Sequence, residues 1–286
     1  MDDTDPRYAL AQREAEYERL GRQAQRDDGV TERLFRAAGI GPGERVLDVG
    51  CGAGNVSAVV ARLVGSGGSV VGVDREADAL DYARAHVQAE ADVSFVQGDF
   101  RDVGVVDGGF DAVVGRYVLM YQSDPIDAVA RLATRVRPGG VVAFLEMDIP
   151  TRFPSPGPWP ESELADELGW LVLRVWQETG TQLGMGPRLP SIFAAAGLDP
   201  SPELVTEALV GIGREWAGGM VGLLQSMEPV IRDLDLADLD ALDLDTAVER
   251  LVVEAPPPGP VGMGPVKVGA WATRPRDLTG DEEAGR

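Results

Sequence analysis

The sequence predicts an α/β fold: a doubly wound, mostly parallel sheet with helices on both faces and an α-helical cap. Three observations predict it. Short β-branched runs alternate with helical stretches between about residues 45 and 147. The first run feeds directly into a glycine loop, Gly50-Cys51-Gly52-Ala53-Gly54. After Asp148 the rhythm breaks at a proline-studded connector, and helical segments follow. Strand–helix alternation places parallel strands side by side with helices covering them, because each crossover must return to the same edge of the sheet.

The elements follow in order. Residues 5–27 read as a polar amphipathic helix with Tyr8, Ala11, Ala15, Tyr17 and Leu20 on its inward stripe. Thr31 is placed to cap a second helix carrying Leu34, Phe35, Ala37 and Ala38; Gly39 stops it, and Gly41-Pro42-Gly43 turns the chain. Strands are predicted at 45–49, 69–73, 93–96, 110–114 and 141–145, and helices at 56–64, 76–88 and 125–136, with a turn at Arg137-Pro138-Gly139-Gly140. Beyond the prolines at 150, 154, 156, 158 and 160, helices are expected at 161–180 and 189–196. A strand follows at 203–210, then a helical stretch at 214–253 that includes an acidic, leucine-rich run at 233–245. A last strand spans 266–273, and the tail from 275 reads as disordered. This divides the chain into an N-terminal lid helix (1–29), a cofactor-binding core (30–148, 191–213 and 261–274), cap insertions (149–190 and 214–260) and a tail (275–286).

Composition narrows the function. A formal net charge of −21 would repel nucleic acid phosphates and an anionic membrane surface. No apolar run reaches the eighteen or so residues of a membrane span. The acidic, polar start lacks the basic and apolar blocks of a secretory signal. A single cysteine, Cys51, agrees with a reducing cytoplasm, where the protein is expected. The oligomeric state is left open.

The motif Val46-Leu47-Asp48-Val49-Gly50-Cys51-Gly52-Ala53-Gly54 carries most of the functional reading. Glycines let the backbone approach a ligand, and the following helix start offers free N–H donors. In an open α/β sheet the ligand sits beyond the carboxyl ends of the strands. A dinucleotide site would show G-x-G-x-x-G; here the glycines stand at 50, 52 and 54, and Asn55 occupies the place of the third. Asp48, two residues before the loop, suits a ligand carrying a positive charge rather than a pyrophosphate.

On these residues the sequence resembles the class I S-adenosylmethionine-dependent methyltransferase family, tightly over about residues 30–147 and loosely over 266–272. The resemblance implies the family's Rossmann-like, seven-stranded sheet. It also implies that Asp48, Gly50, Cys51, Gly52 and Gly54 hold the methionine part of the cofactor. Asp74, with Arg75 beside it, stands roughly twenty residues beyond the loop, where an acid can accept from the ribose hydroxyls; the same Asp also suits a helix cap. Asp99 and Phe100 are expected at the adenine ring, with a turn and a core phenylalanine as the plainer reading. Arg116 and Tyr117, just past the fourth strand, would flank the cofactor.

Methyl transfer is an in-line displacement that chiefly needs alignment and exclusion of water. The only histidine, His86, falls mid-helix and reads as a surface residue. No metal site is expected. Tyr117, Tyr121 and Glu146 are the candidate catalytic groups, and Tyr17, Asp148, Trp170 and Met185 the candidate substrate-pocket residues. Tyr17, with Tyr8, would close over the cofactor if the first helix is a lid. Trp159, Trp176 and Trp216 also populate the cap, where they suit an apolar pocket or ordinary packing. The expected function is methyl transfer from S-adenosylmethionine to nitrogen, oxygen or carbon of a small molecule, leaving S-adenosylhomocysteine. The alternatives are a peptide or protein acceptor, a non-methylating reaction on the same fold, and a non-enzymatic binder of the cofactor.

Overall fold

The computed structural model describes residues 14–102, 106–149, 161–255, 257 and 259–276. Tyr8, Trp159, the five connector prolines and most of the expected tail lie outside them.

The sheet is built on β1 (Arg45–Val49), β2 (Ser69–Asp74), β3 (Asp92–Gln97), β4 (Phe110–Arg116) and β5 (Val136–Asp148). These run parallel in the order β3-β2-β1-β4-β5. The long strand β8 (Val261–Thr273) pairs antiparallel to β5. On its other side lie β6 (Asp199–Pro200) and β7 (Val205–Ile212), end to end along β8. The expectation of seven strands is corrected: among the described residues seven lanes are filled by eight strands, because β6 and β7 share the last lane.

Helix α1 (Glu14–Ala37) precedes the sheet; α2 (Asn55–Val64), α3 (Ala77–His86) and α4 (Pro125–Ala133) connect its parallel strands. Then come α5 (Glu163–Glu178), α6 (Leu189–Ala195), α7 (Gly213–Asp233), α8 (Leu239–Leu242) and α9 (Leu244–Glu254). Alternation along each strand sends neighbouring side chains to opposite faces. Val46, Val114, Ala143 and Leu145 face α1 and α2, packing on Val30, Leu34, Phe35, Val59 and Val60. Leu47, Val49, Val113 and Phe144 face the other way, into one apolar cluster that also takes in buried residues of α4, α5, α6, α7 and α9. Helices α5, α7 and α9 therefore pack as a further layer on that face.

Several local expectations change. Thr31 caps no second helix: its Oγ1 donates to the Asp27 carbonyl one turn back (2.7 Å), a helix-interior bond, and α1 runs through it unbroken. Residues 137–140 form a bulge within β5, where the register against β4 shifts between Phe110 and Ala112, rather than a turn before it. The acidic run at 233–245 does not continue one helix; Asp235 and Asp243 both take left-handed backbone (φ 49°), and the chain breaks around α8. Across β7 and β8, Gly211 faces Gly262, and the Trp216 indole covers both so closely that a Cβ on either would run into the ring.

Candidate functional site

The carboxyl ends of β1, β2, β4 and β5 meet at one edge of the sheet, and the predicted cofactor residues gather there. Gly50, Gly52 and Gly54 all have left-handed φ (60°, 49° and 81°), a turn that side-chain-bearing residues resist. A Cβ on Gly50 would lie 2.7 Å from Val118 Cγ2, and one on Gly54 would meet Val87 at 2.6 Å. At Gly52 a Cβ would meet nothing within 4 Å, so the outer side of the loop is open. The loop is tied down by Cys51 N–H to Val73 O (3.1 Å) and Gly54 N–H to Cys51 O (2.9 Å). No side chain caps the N-terminus of α2, which leaves its N–H groups for a ligand.

Asp74 joins loop and sheet. Its Oδ2 accepts from Gly52 N–H (2.7 Å) and its Oδ1 from Glu76 N–H (3.0 Å). Asp74 thus restrains the turn that leads into α3, where Glu76 and not Asp74 stands at the cap position, and each of its oxygens keeps a lone pair that a ligand hydroxyl could use. Arg75 is exposed on that turn. Asp99 is gripped by Arg101, which donates from Nε and Nη2 at 3.0 and 2.6 Å. Burial pushes the Asp99 carboxyl up, but the Arg101 hydrogen bonds and charge outweigh it and hold the group below its usual range. Phe100 is half-buried beside it, against the larger core cluster. An adenine amino group would meet an Asp99 carboxylate already fixed in place.

Three expectations are corrected. Asp48 is not an open carboxylate: it is buried, its Oδ2 accepts from Ser57 Oγ of α2 (2.6 Å), and burial pushes its carboxyl up to about 7. Cys51 offers the loop its backbone only; its side chain is buried against β2, and burial drives the thiol far above the thiolate range. Arg116 turns to α1, donating to Thr31 Oγ1 (2.9 Å) with Asp28 Oδ1 at 3.8 Å.

The candidate catalytic groups share the corner after β4. Tyr117 has φ 59°, a strained value for a side-chain-bearing residue, and its hydroxyl donates to Asp27 Oδ2 of α1 (2.9 Å). Burial, then the Asp27 charge, raise its phenol well above the usual range. Glu146 is fully buried, which weakens its case as a catalyst. Its Oε1 accepts from Val118 N–H (2.9 Å) and Leu119 N–H (2.7 Å), fixing the turn that carries Tyr121. Burial pushes its carboxyl up to about 7, and its Oε2 is buried without a partner. Tyr121 is half-buried against the core cluster.

The expected substrate-pocket residues are not brought together. Trp170 is 52% exposed on α5, because its helical neighbours Leu168, Leu171 and Leu173 take the inward stripe. Met185 is fully buried in the core cluster. Asp148 is buried at the end of β5, bridged to Gly184. Tyr17 sits elsewhere again, packed on Ala53 of the glycine loop and Tyr82 of α3 (centroids 5.1 Å apart), so that α1 reaches over the loop.

Asp27 and Lys267 were missed by sequence reasoning. Asp27 Oδ1 pairs with Lys267 Nζ of β8, and both side chains are buried. One signal was available: Lys267 is the only lysine in the chain. His86 is exposed on α3, stacked on Tyr82 at 3.9 Å. Among the described residues no group of three or more His, Cys, Asp or Glu is placed to hold a metal ion, and no helix is long and apolar enough to cross a membrane.

Comparisons with known proteins agree with this geometry. A family described as "Methyltransferase domain" matches residues 40–179. An arsenite methyltransferase of Aquipseudomonas alcaligenes is 37% identical over 136 residues, which is 44% of this chain and 36% of that protein. A demethylmenaquinone methyltransferase of Staphylococcus aureus is 30% identical over 120 residues, 42% of this chain and 50% of the relative. The chain thus spans half or less of the length of these curated relatives. Among solved structures, the YcgJ protein of Bacillus subtilis shares the fold with a TM-score of 0.55 at 19% identity, over 87% of this chain and 99% of that one.

Proposed function

Residues 40–179 of this chain are a methyltransferase domain of the class I S-adenosylmethionine-dependent family, and from that premise we propose that the protein methylates a small-molecule acceptor. The observation that carries this is the glycine loop: three left-handed glycines, one opening onto free space, and the Gly52 N–H held by Asp74. When bound, S-adenosylmethionine supplies a methyl group already activated by its sulfonium charge.

The chain's own part is to bind, align and keep water away. The loop 50–54 and the start of α2 take the methionine part, Asp74 the ribose, and Asp99 with Phe100 the adenine. Tyr17 packs α1 onto Ala53 of the loop. This arrangement works by proximity and desolvation, with no metal or histidine base assigned a role. Arsenite is not taken as the acceptor, because soft arsenic calls for several thiolates, whereas the one cysteine here is buried and held as a thiol. A nucleic acid acceptor is disfavoured by the charge of −21. The single free cysteine suits a cytoplasmic setting.

Calorimetric titration with S-adenosylmethionine, S-adenosylhomocysteine and NAD in parallel tests the reading. Micromolar binding of both adenosyl ligands, lost in Asp74→Ala and Gly52→Val, is the expected result. Binding of NAD alone would overturn it.

A further inference from the structure

We propose that Tyr117, Asp27 and Lys267 form a proton relay in the corner after β4, and that the acceptor presents a neutral hydroxyl of phenol-like acidity. The proposal rests on the methyltransferase reading and adds the acceptor's chemical class to it.

Tyr117 follows the carboxyl end of β4, and the next residue, Val118, fills the space where a Cβ on Gly50 would lie. Tyr117 is thus next in the chain to the residue that packs on the cofactor loop, and its phenol turns toward α1. The phenol donates to Asp27, whose second oxygen is held by Lys267.

A buried ion pair is commonly no more stabilising than apolar residues of the same volume. Helix α1 already binds the sheet through Val30, Leu34 and Phe35, which are fully buried, so an ion pair is not needed to fasten it. Yet the only lysine of 26 basic residues is buried here at 4% exposure, joined through Asp27 to a strained Tyr117, near which Glu146 keeps an oxygen without a partner. Strain and unmatched polar groups gather where function over-determines the structure.

Charge selects the acceptor. The groups facing Tyr117 are Asp27 and Asp28 from α1, Arg116 at the end of β4, Glu146 from β5 and Lys267 from β8. Lys267 claims Asp27, Arg116 lies 3.8 Å from Asp28, and burial pushes Glu146 up to about 7. The corner is close to neutral, so an ammonium would bring a third cation with no free counter-charge. A neutral hydroxyl fits, and a phenol is the neutral hydroxyl that gives up its proton more readily than an aliphatic alcohol to the Asp27 carboxylate at the end of the relay.

Because Tyr117 donates its proton toward Asp27, the phenol oxygen keeps lone pairs to accept another. As the acceptor oxygen bonds the methyl carbon, its own proton moves to Tyr117 Oη and the Tyr117 proton moves to Asp27 Oδ2. The broken methyl–sulfur bond leaves its electron pair on sulfur, which becomes uncharged. Lys267 is a positioning residue: it holds Asp27 Oδ1, so that Oδ2 stays aimed at the phenol.

The test uses the full chain. Calorimetry with S-adenosylhomocysteine comes first; a wild type that does not bind it sinks the methyltransferase reading itself, and this proposal with it. Label transfer from S-adenosylmethionine to catechol and 2-naphthol follows, comparing wild type with Tyr117→Phe. The expected result is transfer by the wild type and a loss of about a hundredfold in kcat in Tyr117→Phe, with the cofactor product still bound. Since Asp27→Asn leaves a buried lysine unpaired and risks unfolding, the second readout is spectroscopic. Labelling with [ε-13C]lysine gives one signal, from Lys267, and catechol added to the S-adenosylhomocysteine complex should shift it in the wild type and not in Tyr117→Phe. Wild-type kcat in Tyr117→Phe overturns the relay. A wild type that binds S-adenosylhomocysteine yet methylates neither probe and shows no lysine shift overturns the acceptor class, leaving the methyltransferase reading intact.

Discussion

Replacing Glu146 with glutamine should remove a pH dependence from the folding equilibrium. In the folded chain burial pushes this carboxyl from an ordinary 4.5 up to about 7. The native protein therefore keeps a proton that the unfolded chain releases. A group of this kind contributes its full stability below the unfolded value and loses it as the pH rises through the folded one. A gap of about 2.5 pH units, at 1.36 kcal/mol each, gives roughly 3 kcal/mol, most of it lost between pH 5 and pH 8. Glutamine keeps the oxygen that accepts from Val118 and Leu119 and cannot ionise. Urea denaturation at pH 5 and pH 8, followed by circular dichroism, checks this. Wild type should lose roughly 3 kcal/mol more than Glu146→Gln across that interval. The buried Asp48, which has the same sense of pH dependence, is common to both proteins and cancels in the difference. Parallel pH slopes for the two proteins would refute the reasoning.

Three further outcomes follow. Gly50→Ala places a methyl group 2.7 Å from Val118 Cγ2 on a backbone with φ 60°; it should cost about 2–4 kcal/mol by chemical denaturation and weaken binding of S-adenosylhomocysteine in calorimetry. Trp216→Ala uncovers the facing Gly211 and Gly262 and should lower stability by about 3–5 kcal/mol, with faster hydrogen exchange confined first to β7 and the start of β8. Lys267→Met leaves Asp27 as an uncompensated buried charge and should cost about 3–5 kcal/mol at neutral pH, whereas the double variant Asp27→Asn/Lys267→Met should recover most of that loss in a thermal melt.

The parts of the site legible in the sequence are those whose chemistry is local. Gly50, Gly52 and Gly54 announce themselves because left-handed turns in succession need glycine, and Asp74 because it ends a strand next to that loop. Asp48 misled because the sequence shows that a carboxylate is present but not which way it points. Its position on β1 sends it to the face covered by α2, where Ser57 meets it. Trp170 misled for the converse reason, since an aromatic in a helical segment carries no mark of facing inward when its leucine neighbours already fill the stripe. The Asp27–Lys267 pair was not legible at all: its partners stand 240 residues apart, on α1 and β8, and only the sheet order brings them together. Thr31 read as a helix start because threonine is favoured there, and the i−4 bond that keeps α1 running has no signature in composition.

The place of β8 in the sheet has a consequence for how the chain reaches its native form. It is the last of the described strands in chain order, yet it lies inside the sheet, with β5 on one side and β6 and β7 on the other. A chain emerging from the ribosome can assemble β1 to β5 with their crossover helices as it is made. It must nevertheless hold a strand-wide slot until Val266–Thr273 appear to pair with Val141–Asp148. Until then β5 presents an open edge, the kind of surface that recruits strands from other chains. Closure of that slot also delivers Lys267 to Asp27, so the corner beside the cofactor loop is completed in the same event that removes the exposed edge.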